Sequence, residues 1–274
     1  MRFRLIGLLA LCCVFAVILS VRSETSHSQT NKQTPQLSKS ELDLLAEINL
    51  ARAQPQVYAD YLEKLKPQFK GKLYTASGQD TALETQEGWD AVEDAIKFLR
   101  GLKPVGPLST SQGLCMAASS HVKDQSASGA TGHAGADKML VEQRVKPFGA
   151  WQGDIGENLV YGDESARERI LTWLIDDGVT TRGHRRRVMS QNYKVAGISC
   201  GPHPEYGTMC VLTLAGGFTD SGGGTSATGA QKSENVLKNR PPNATLTVTT
   251  PANSNAAKSS NSSTTSTNKN KSPR

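Results

Sequence analysis

Four short segments of the central chain carry the side chains best suited to chemistry. They are Gly132-His133, Gly156-Glu157-Asn158, Trp173-Leu174-Ile175-Asp176-Asp177-Gly178 and Gly183-His184-Arg185. Histidine with Asp or Glu is the usual ligand set for a borderline divalent metal, and also the usual set for proton transfer. The segments lie far apart in sequence, so only a fold can assemble them. The glycine in each lets the backbone turn sharply or approach a neighbour closely. Each residue also has a plainer use. His133 would serve as a loop histidine held by backbone hydrogen bonds, Glu157 as a cap for amides near Gly156, and His184 as an orienter of Arg185-Arg186-Arg187. The chain has neither a Gly-x-Ser-x-Gly elbow nor a His-Glu-x-x-His pair, the two common hydrolase signatures.

The elements that must position these residues read as helices first and strands last. Ser38-x-x-Glu41 is a capping box, followed by Leu42, Leu45 and Ile48 at helical spacing. Pro55 closes that helix and opens another, in which Val57, Tyr61 and Leu65 share a face. Trp89, Val92, Ile96 and Leu99 mark a third helix ending near Gly101. A fourth runs from about Thr110 to Ser128 with Leu114, Ala118 and Val122 on one side. The last spans Glu164 to Asp177, with Ala166, Ile170 and Trp173 inward. Leu159–Tyr161 reads as a short strand, as do Val195–Cys200 and Met209–Leu214. The layering is α+β or α/β/α. Asp176 and Asp177 fall in the last turn of their helix, where carboxylates oppose the helix dipole by roughly a few tenths of a kcal/mol each. A cation must offset this: Arg182 or the Arg185–Arg187 run on the bland reading, a metal or a protonated His184 on the sharper one.

Cysteine and charge placement describe the ends. Met1-Arg2-Phe3-Arg4 followed by the apolar run Leu5–Val21 and small residues to Ser23 has the layout of a secretory signal peptide, residues 1–23. An uncleaved membrane anchor is the alternative. Residues 24–37 read as a linker, 38–218 as one domain and 219–274 as a Ser/Thr/Asn/Lys-rich tail too polar to bury a core. On a secreted chain, Asn243, Asn261 and Asn270 are glycosylation sequons. The formal charge of +6 belongs to these ends. Arg2, Arg4 and Arg22 lie in the signal, and the tail from Asp220 carries a net of +5, leaving −2 on the domain. A nucleic-acid groove needs a basic face on the folded part, so nucleic acid is excluded as a partner. Cys115, Cys200 and Cys210 remain after the signal. Paired strands would bring Cys200 and Cys210 within disulfide reach, which leaves Cys115 as a buried helical thiol.

Taken together, the segments resemble the CAP superfamily of cysteine-rich secretory, antigen 5 and pathogenesis-related proteins. The carrying residues are Glu47-Ile-Asn-Leu-Ala-Arg-Ala-Gln-Pro55, Ala118-Ser-Ser-His-Val-Lys-Asp124, Gly132-His133, Gly156-Glu-Asn-Leu159, Trp173, Gly183-His-Arg185, Ala196-Gly-Ile198 and Leu214-Ala-Gly-Gly-Phe218. The Gly-His-Arg form is similar to the bacterial-type branch. The resemblance implies an α/β/α sandwich with a central, mostly antiparallel sheet and an open cleft. It also implies a cleft tetrad of two histidines and two acids, here His133, Glu157, Asp176 and His184. Animal and plant members carry glutamate where this chain has Asp176, one methylene shorter, with Asp177 as the fallback. His121 reads as a capping or packing residue.

Three functions follow as expectations. The first is a monomeric extracellular binding protein whose tetrad holds Zn²⁺ or another divalent cation, or braces a site for a lipid, sterol or cell-surface ligand. The second is a metal-assisted hydrolase with Glu157 as general base. The third is a surface protein tethered by its tail. The first is preferred, because the domain carries no independent catalytic signature.

Overall fold

The structure, a computed structural model, describes residues 36–78 and 80–221. The expected signal segment, most of the linker, the tail from residue 222 and the sequons at Asn243, Asn261 and Asn270 lie outside the described residues.

Helix α1 (Lys39–Ala53) starts at the predicted capping box: Ser38 Oγ accepts from Glu41 N, and Glu41 Oε2 accepts from Ser38 N at 2.7 Å. Helix α2 (Pro55–Glu63) opens on its proline. Three two-residue strands, β1 (Phe69–Lys70), β2 (Leu73–Tyr74) and β3 (Leu83–Glu84), form a small antiparallel sheet before α3 (Trp89–Gly101). Strand β4 (Ser109–Thr110) leads into α4 (Gln112–Ser128), capped by Ser111 and ended by Gly129 in the left-handed region. Next come α5 (Val141–Arg144) and β5 (Gly149–Tyr161). Helix α6 (Ala166–Ile175) has its own Ser165/Glu168 capping box, and α7 (Gly183–Met189) follows. Strands β6 (Val195–His203) and β7 (Gly207–Asp220) close the domain.

The larger sheet has the order β4-β6-β7-β5, with β4 parallel to β6 and the other pairs antiparallel. Side chains alternate across it. Met209 and Val211 of β7 pack with Ala118 and Val122 of α4. Cys210, Leu212 and Leu214 instead join Leu45, Ile48, Val92, Leu99, Ile170 and Trp173 in a core built by α1, α2, α3 and α6. The sheet therefore lies between two helical layers, as the resemblance implies. The α4 layer sits unusually close. A Cβ on Gly197 of β6 would lie 2.0 Å from the carbonyl carbon of Leu114, so only glycine admits this approach. Buried Arg52 of α1 donates to the carbonyls of Gly106, Val188, Ser190 and Tyr193, which ties the end of α7 to the opposite end of the helical layer.

Cys200 and Cys210 stand directly opposite in the β6–β7 register and are disulfide-bonded, as the strand pairing predicts. Cys115 is free and buried. Three expectations need correction. The short strand at Leu159–Tyr161 is the end of a 13-residue strand. Helix α7 falls on the Gly183-His184-Arg185 segment and the arginine run after it, where no helix was expected. β7 continues past residue 218 to Asp220, whose Oδ1 accepts from Ser111 Oγ and Gly113 N at 2.7 Å each. Asp220 thus secures the start of α4, and residues 219 and 220 belong to the fold rather than to a tail.

Candidate functional site

Strand β5 is the edge of the sheet, and each helical layer reaches it with one histidine. From the α4 side comes His133, in the loop after α4. Its Nδ1–H donates to Glu157 Oε1 of β5 at 3.0 Å. From the other side comes His184, in the first turn of α7. Its Nδ1–H donates to Asp176 Oδ1 at 2.6 Å. The two rings lie 6.4 Å apart between centroids, with their planes 24° from parallel. Thus all four expected residues meet, as two imidazole–carboxylate pairs.

The carboxylates are buried while the rings are accessible. Glu157 and Asp176 side chains are 2% exposed, against 43% for His133 and 25% for His184. Burial pushes the Glu157 pKa upward, but the His133 hydrogen bond and the Arg144 guanidinium outweigh it, so this carboxyl titrates below the ordinary range. Asp176 behaves alike: burial raises it, and His184 with the amides of Arg185 and His184 pulls it below the usual aspartate value. Both carboxylates are therefore ionised at neutral pH. An ionised acceptor at Nδ1 fixes a ring proton there, so in the neutral form of each ring the lone pair is on Nε2. Neither Nε2 has a hydrogen-bond partner among the described residues.

The dipole problem at Asp176 resolves in an unexpected way. Helix α6 ends at Ile175, and Asp176 is its C-cap at φ 56°, in the left-handed region. The carboxylate consequently turns away from the α6 carbonyls to the start of α7, where it accepts from His184 N at 2.8 Å and Arg185 N at 3.3 Å. The α6 carbonyls go to the bland candidates. Arg185 donates to Leu174 O and Ile175 O, and Arg182 to Asp176 O. Asp177 does not approach His184; it accepts from the amides of Gln86 and Glu87 at 2.6 and 2.8 Å. The fallback assignment is therefore set aside in favour of Asp176.

Sequence reasoning missed the braces behind His133. Arg144 Nη2 donates to Glu157 Oε2 at 2.6 Å, while its Nη1 donates to the carbonyls of His133 and Met139. Gly132, at φ 93°, donates its amide to Tyr161 Oη and accepts at its carbonyl from Gln125 Nε2 and His121 Nε2. His121 is fully buried, matching the packing role expected of it. Arg144 carried no sequence signal; the i, i+4 spacing of His121 and Gln125 was the one available hint of a shared helix face.

The donor set limits what metal site these residues fit. Among the described residues, no group of three or more His, Cys, Asp or Glu side chains is placed to hold a metal ion. The expected four-residue ligand set therefore does not form, because both Glu157 oxygens and both Asp176 oxygens already accept hydrogen bonds. Two Nε2 atoms without a partner among the described residues remain, on partly exposed rings. Imidazoles sharing one tetrahedral zinc through Nε2 would set their centroids about 5–6 Å apart, given Zn–N bonds of about 2.0–2.1 Å. The observed 6.4 Å is longer, so the rings would have to move together to share one ion. The arrangement fits a two-imidazole site with carboxylates in support, since metal-bound histidines usually donate their other N–H to a carboxylate. Two cavities of about 620 Å³ each are lined by other residues, so the four do not share a pocket with either.

Comparison with known proteins places this domain in a family. The family model of the cysteine-rich secretory protein family, CAP, matches residues 45–214, more than half of the chain. The chain belongs to this family. No curated protein matches it in sequence. Among solved structures, it is similar to an extracellular protein containing an SCP domain from Bacillus anthracis, at 16% identity and TM-score 0.32, covering 40% of this chain and 34% of that one. An outer surface protein of Borrelia burgdorferi aligns at 13% identity and TM-score 0.36, covering 46% and 86%. A cysteine-rich secretory protein of Staphylococcus aureus aligns at 14% identity and TM-score 0.30, covering 57% and 48%. The chain thus spans less than half the length of the Bacillus and Staphylococcus proteins.

Proposed function

We propose that the protein works outside the cell, secreted or held at a surface, as a binding protein whose paired imidazoles take a divalent cation such as Zn²⁺. One observation carries this reading: two adjacent, partly exposed histidines each have Nδ1 fixed by a buried, ionised carboxylate, and neither Nε2 has a partner among the described residues. A bound zinc would supply a Lewis-acidic anchor with open positions for an oxygen of a ligand. His133 and His184 would hold it, while Glu157, Asp176 and Arg144 keep the rings oriented. The ligand class that suits an exposed notch on a secreted domain is a phosphate- or hydroxyl-bearing lipid, a sterol or a cell-surface glycan.

The hydrolase alternative is less well supported. A general base should have a free oxygen and a pKa near the working pH. Glu157 has both oxygens engaged and a depressed pKa. The test is vesicle sedimentation with phosphatidylcholine vesicles, with and without cholesterol or anionic lipid, in the presence of zinc or of a chelator. Zinc-dependent binding lost in His133→Ala/His184→Ala supports the reading. Binding indifferent to metal and to both histidines removes the lipid arm of it.

A further inference from the structure

A cavity of about 620 Å³ is lined by Ser40 and Leu44 of α1, Glu164 and Ala166 around the start of α6, and both Cys200 and Cys210. The two sulfurs sit in different surroundings. Cys210 is 2% exposed, and Arg169 Nη1 approaches its Sγ at 2.6 Å. Cys200 is half-buried, and its amide donates to Glu41 Oε1 at 2.9 Å, so a carboxylate lies on its side.

Arg169 differs from the other buried arginines of the domain. Arg144, Arg167 and Arg185 each hold a carboxylate, and Arg52 is satisfied by four carbonyls. Among the described residues Arg169 has no carboxylate within ion-pair distance, although Glu164 and Asp163 act on it from further off. It donates to the carbonyls of Glu164 and Gly162 and to Thr208 Oγ1, and through Nη1 to sulfur. A disulfide sulfur is a weak acceptor, whereas a thiolate is a strong one and is stabilised by an adjacent arginine. Glu164 and Asp163 act on Arg169 only through space, so a negative charge hydrogen-bonded directly to its guanidinium arises when the disulfide opens toward Cys210.

We propose that Cys200–Cys210 is a thiol–disulfide exchange site for a low-molecular-weight thiol entering this cavity, with Cys200 as the sulfur attacked and Cys210 as the leaving thiolate. In the first step the incoming thiolate bonds to Cys200 Sγ. The Cys200–Cys210 bond breaks, and its electron pair leaves on Cys210 Sγ beside Arg169. A second thiolate then attacks the outer sulfur of the mixed disulfide. This releases the oxidised small disulfide and Cys200 as a thiolate, which takes a proton from water. Two thiols are oxidised and one protein disulfide is reduced. The fold need not open, because the flanking pairs Ser199↔Val211 and Gly201↔Met209 keep the strands in register. Cys115 stays out of the exchange, since it is buried and its pKa is pushed up to about 11 by desolvation.

The experiment equilibrates the secreted chain in glutathione redox buffers, quenches with acid and maps the products by mass spectrometry. The expected mixed disulfide is on Cys200. The equilibrium constant for reduction should fall about tenfold in Arg169→Met and stay within about threefold of wild type in Arg169→Lys, as a charge-assisted bond to thiolate requires. Glutathione on Cys210, or equal constants in wild type and Arg169→Met, overturns the proposal. If Arg169→Met fails to fold, Cys200→Ser keeps Arg169 and leaves Cys210 free to titrate by thiolate absorbance. A midpoint below the ordinary value of about 8.5 upholds the proposal; one at or above it overturns it.

Discussion

Replacing Arg144 by methionine probes the brace behind His133 most severely. The substitution keeps the aliphatic stem and removes the guanidinium. Glu157, 3% exposed, would lose its 2.6 Å partner and keep only the His133 bond, while the carbonyls of His133 and Met139 would lose their donor. Breaking a buried pair from one side costs about 3–5 kcal/mol, because the remaining charge is stranded. Removing both charges strands nothing. Arg144→Met/Glu157→Gln should therefore cost less than the sum of the two single changes, by more than about 1 kcal/mol. The pH dependence should change as well. In the wild type the folded-state pKa of Glu157 lies below its unfolded value, so its stabilisation is present above the unfolded pKa and is lost as pH falls through the folded one. Without Arg144 the burial effect has less opposition, the folded pKa rises, and this acid-induced loss shrinks. Urea unfolding followed by tryptophan fluorescence, repeated between about pH 7 and pH 4, measures both effects. Strict additivity of the single costs, with an unchanged pH slope, would refute the electrostatic account of the site.

Three further outcomes are expected. Asp176→Asn replaces a fixed ionised acceptor with an amide that can also donate to Nδ1, so the His184 tautomer is no longer imposed; zinc affinity should fall about 10–100-fold by competition with a chromophoric chelator. Gly197→Ala drives a methyl into the Leu114 carbonyl at 2.0 Å and should destabilise by about 1–3 kcal/mol or more in urea, with the strand pairs otherwise retained. Glu87 is held down to about 2 chiefly by hydrogen bonds from Arg182. Its contribution is present above the unfolded value of about 4.3 and disappears as pH falls toward the folded one, so Glu87→Gln should flatten the dependence of thermal midpoint on pH in that window.

The first four helices were legible because each carries its own signal. Ser38/Glu41, Pro55, the Trp89–Leu99 stripe and the Leu114–Val122 stripe mark elements that fold where their caps and apolar faces say. Strand β5 was hidden for a physical reason. It is an edge strand with Gly149, Gly153 and Gly156 and a register shift between Gln152 and Ile155, so its sequence looks like turns. Helix α7 was hidden because Gly183-His-Arg-Arg-Arg lacks apolar periodicity; Asp176 caps it from outside its own sequence. Residue types identified the four site residues and, through the family pattern, their convergence. Spacing could not say that the carboxylates face Nδ1 rather than a metal, since that depends on side-chain direction. Nor could it find Arg144, whose role exists only once α5 lies against β5.

The most direct measurement is calorimetric zinc titration of the intact chain beside His133→Ala/His184→Ala, with both proteins confirmed folded by circular dichroism. The account predicts one zinc per chain in the wild type and none in the double variant. Equal zinc binding by both proteins, or none by the wild type, would contradict the claim that the paired Nε2 atoms form a cation site.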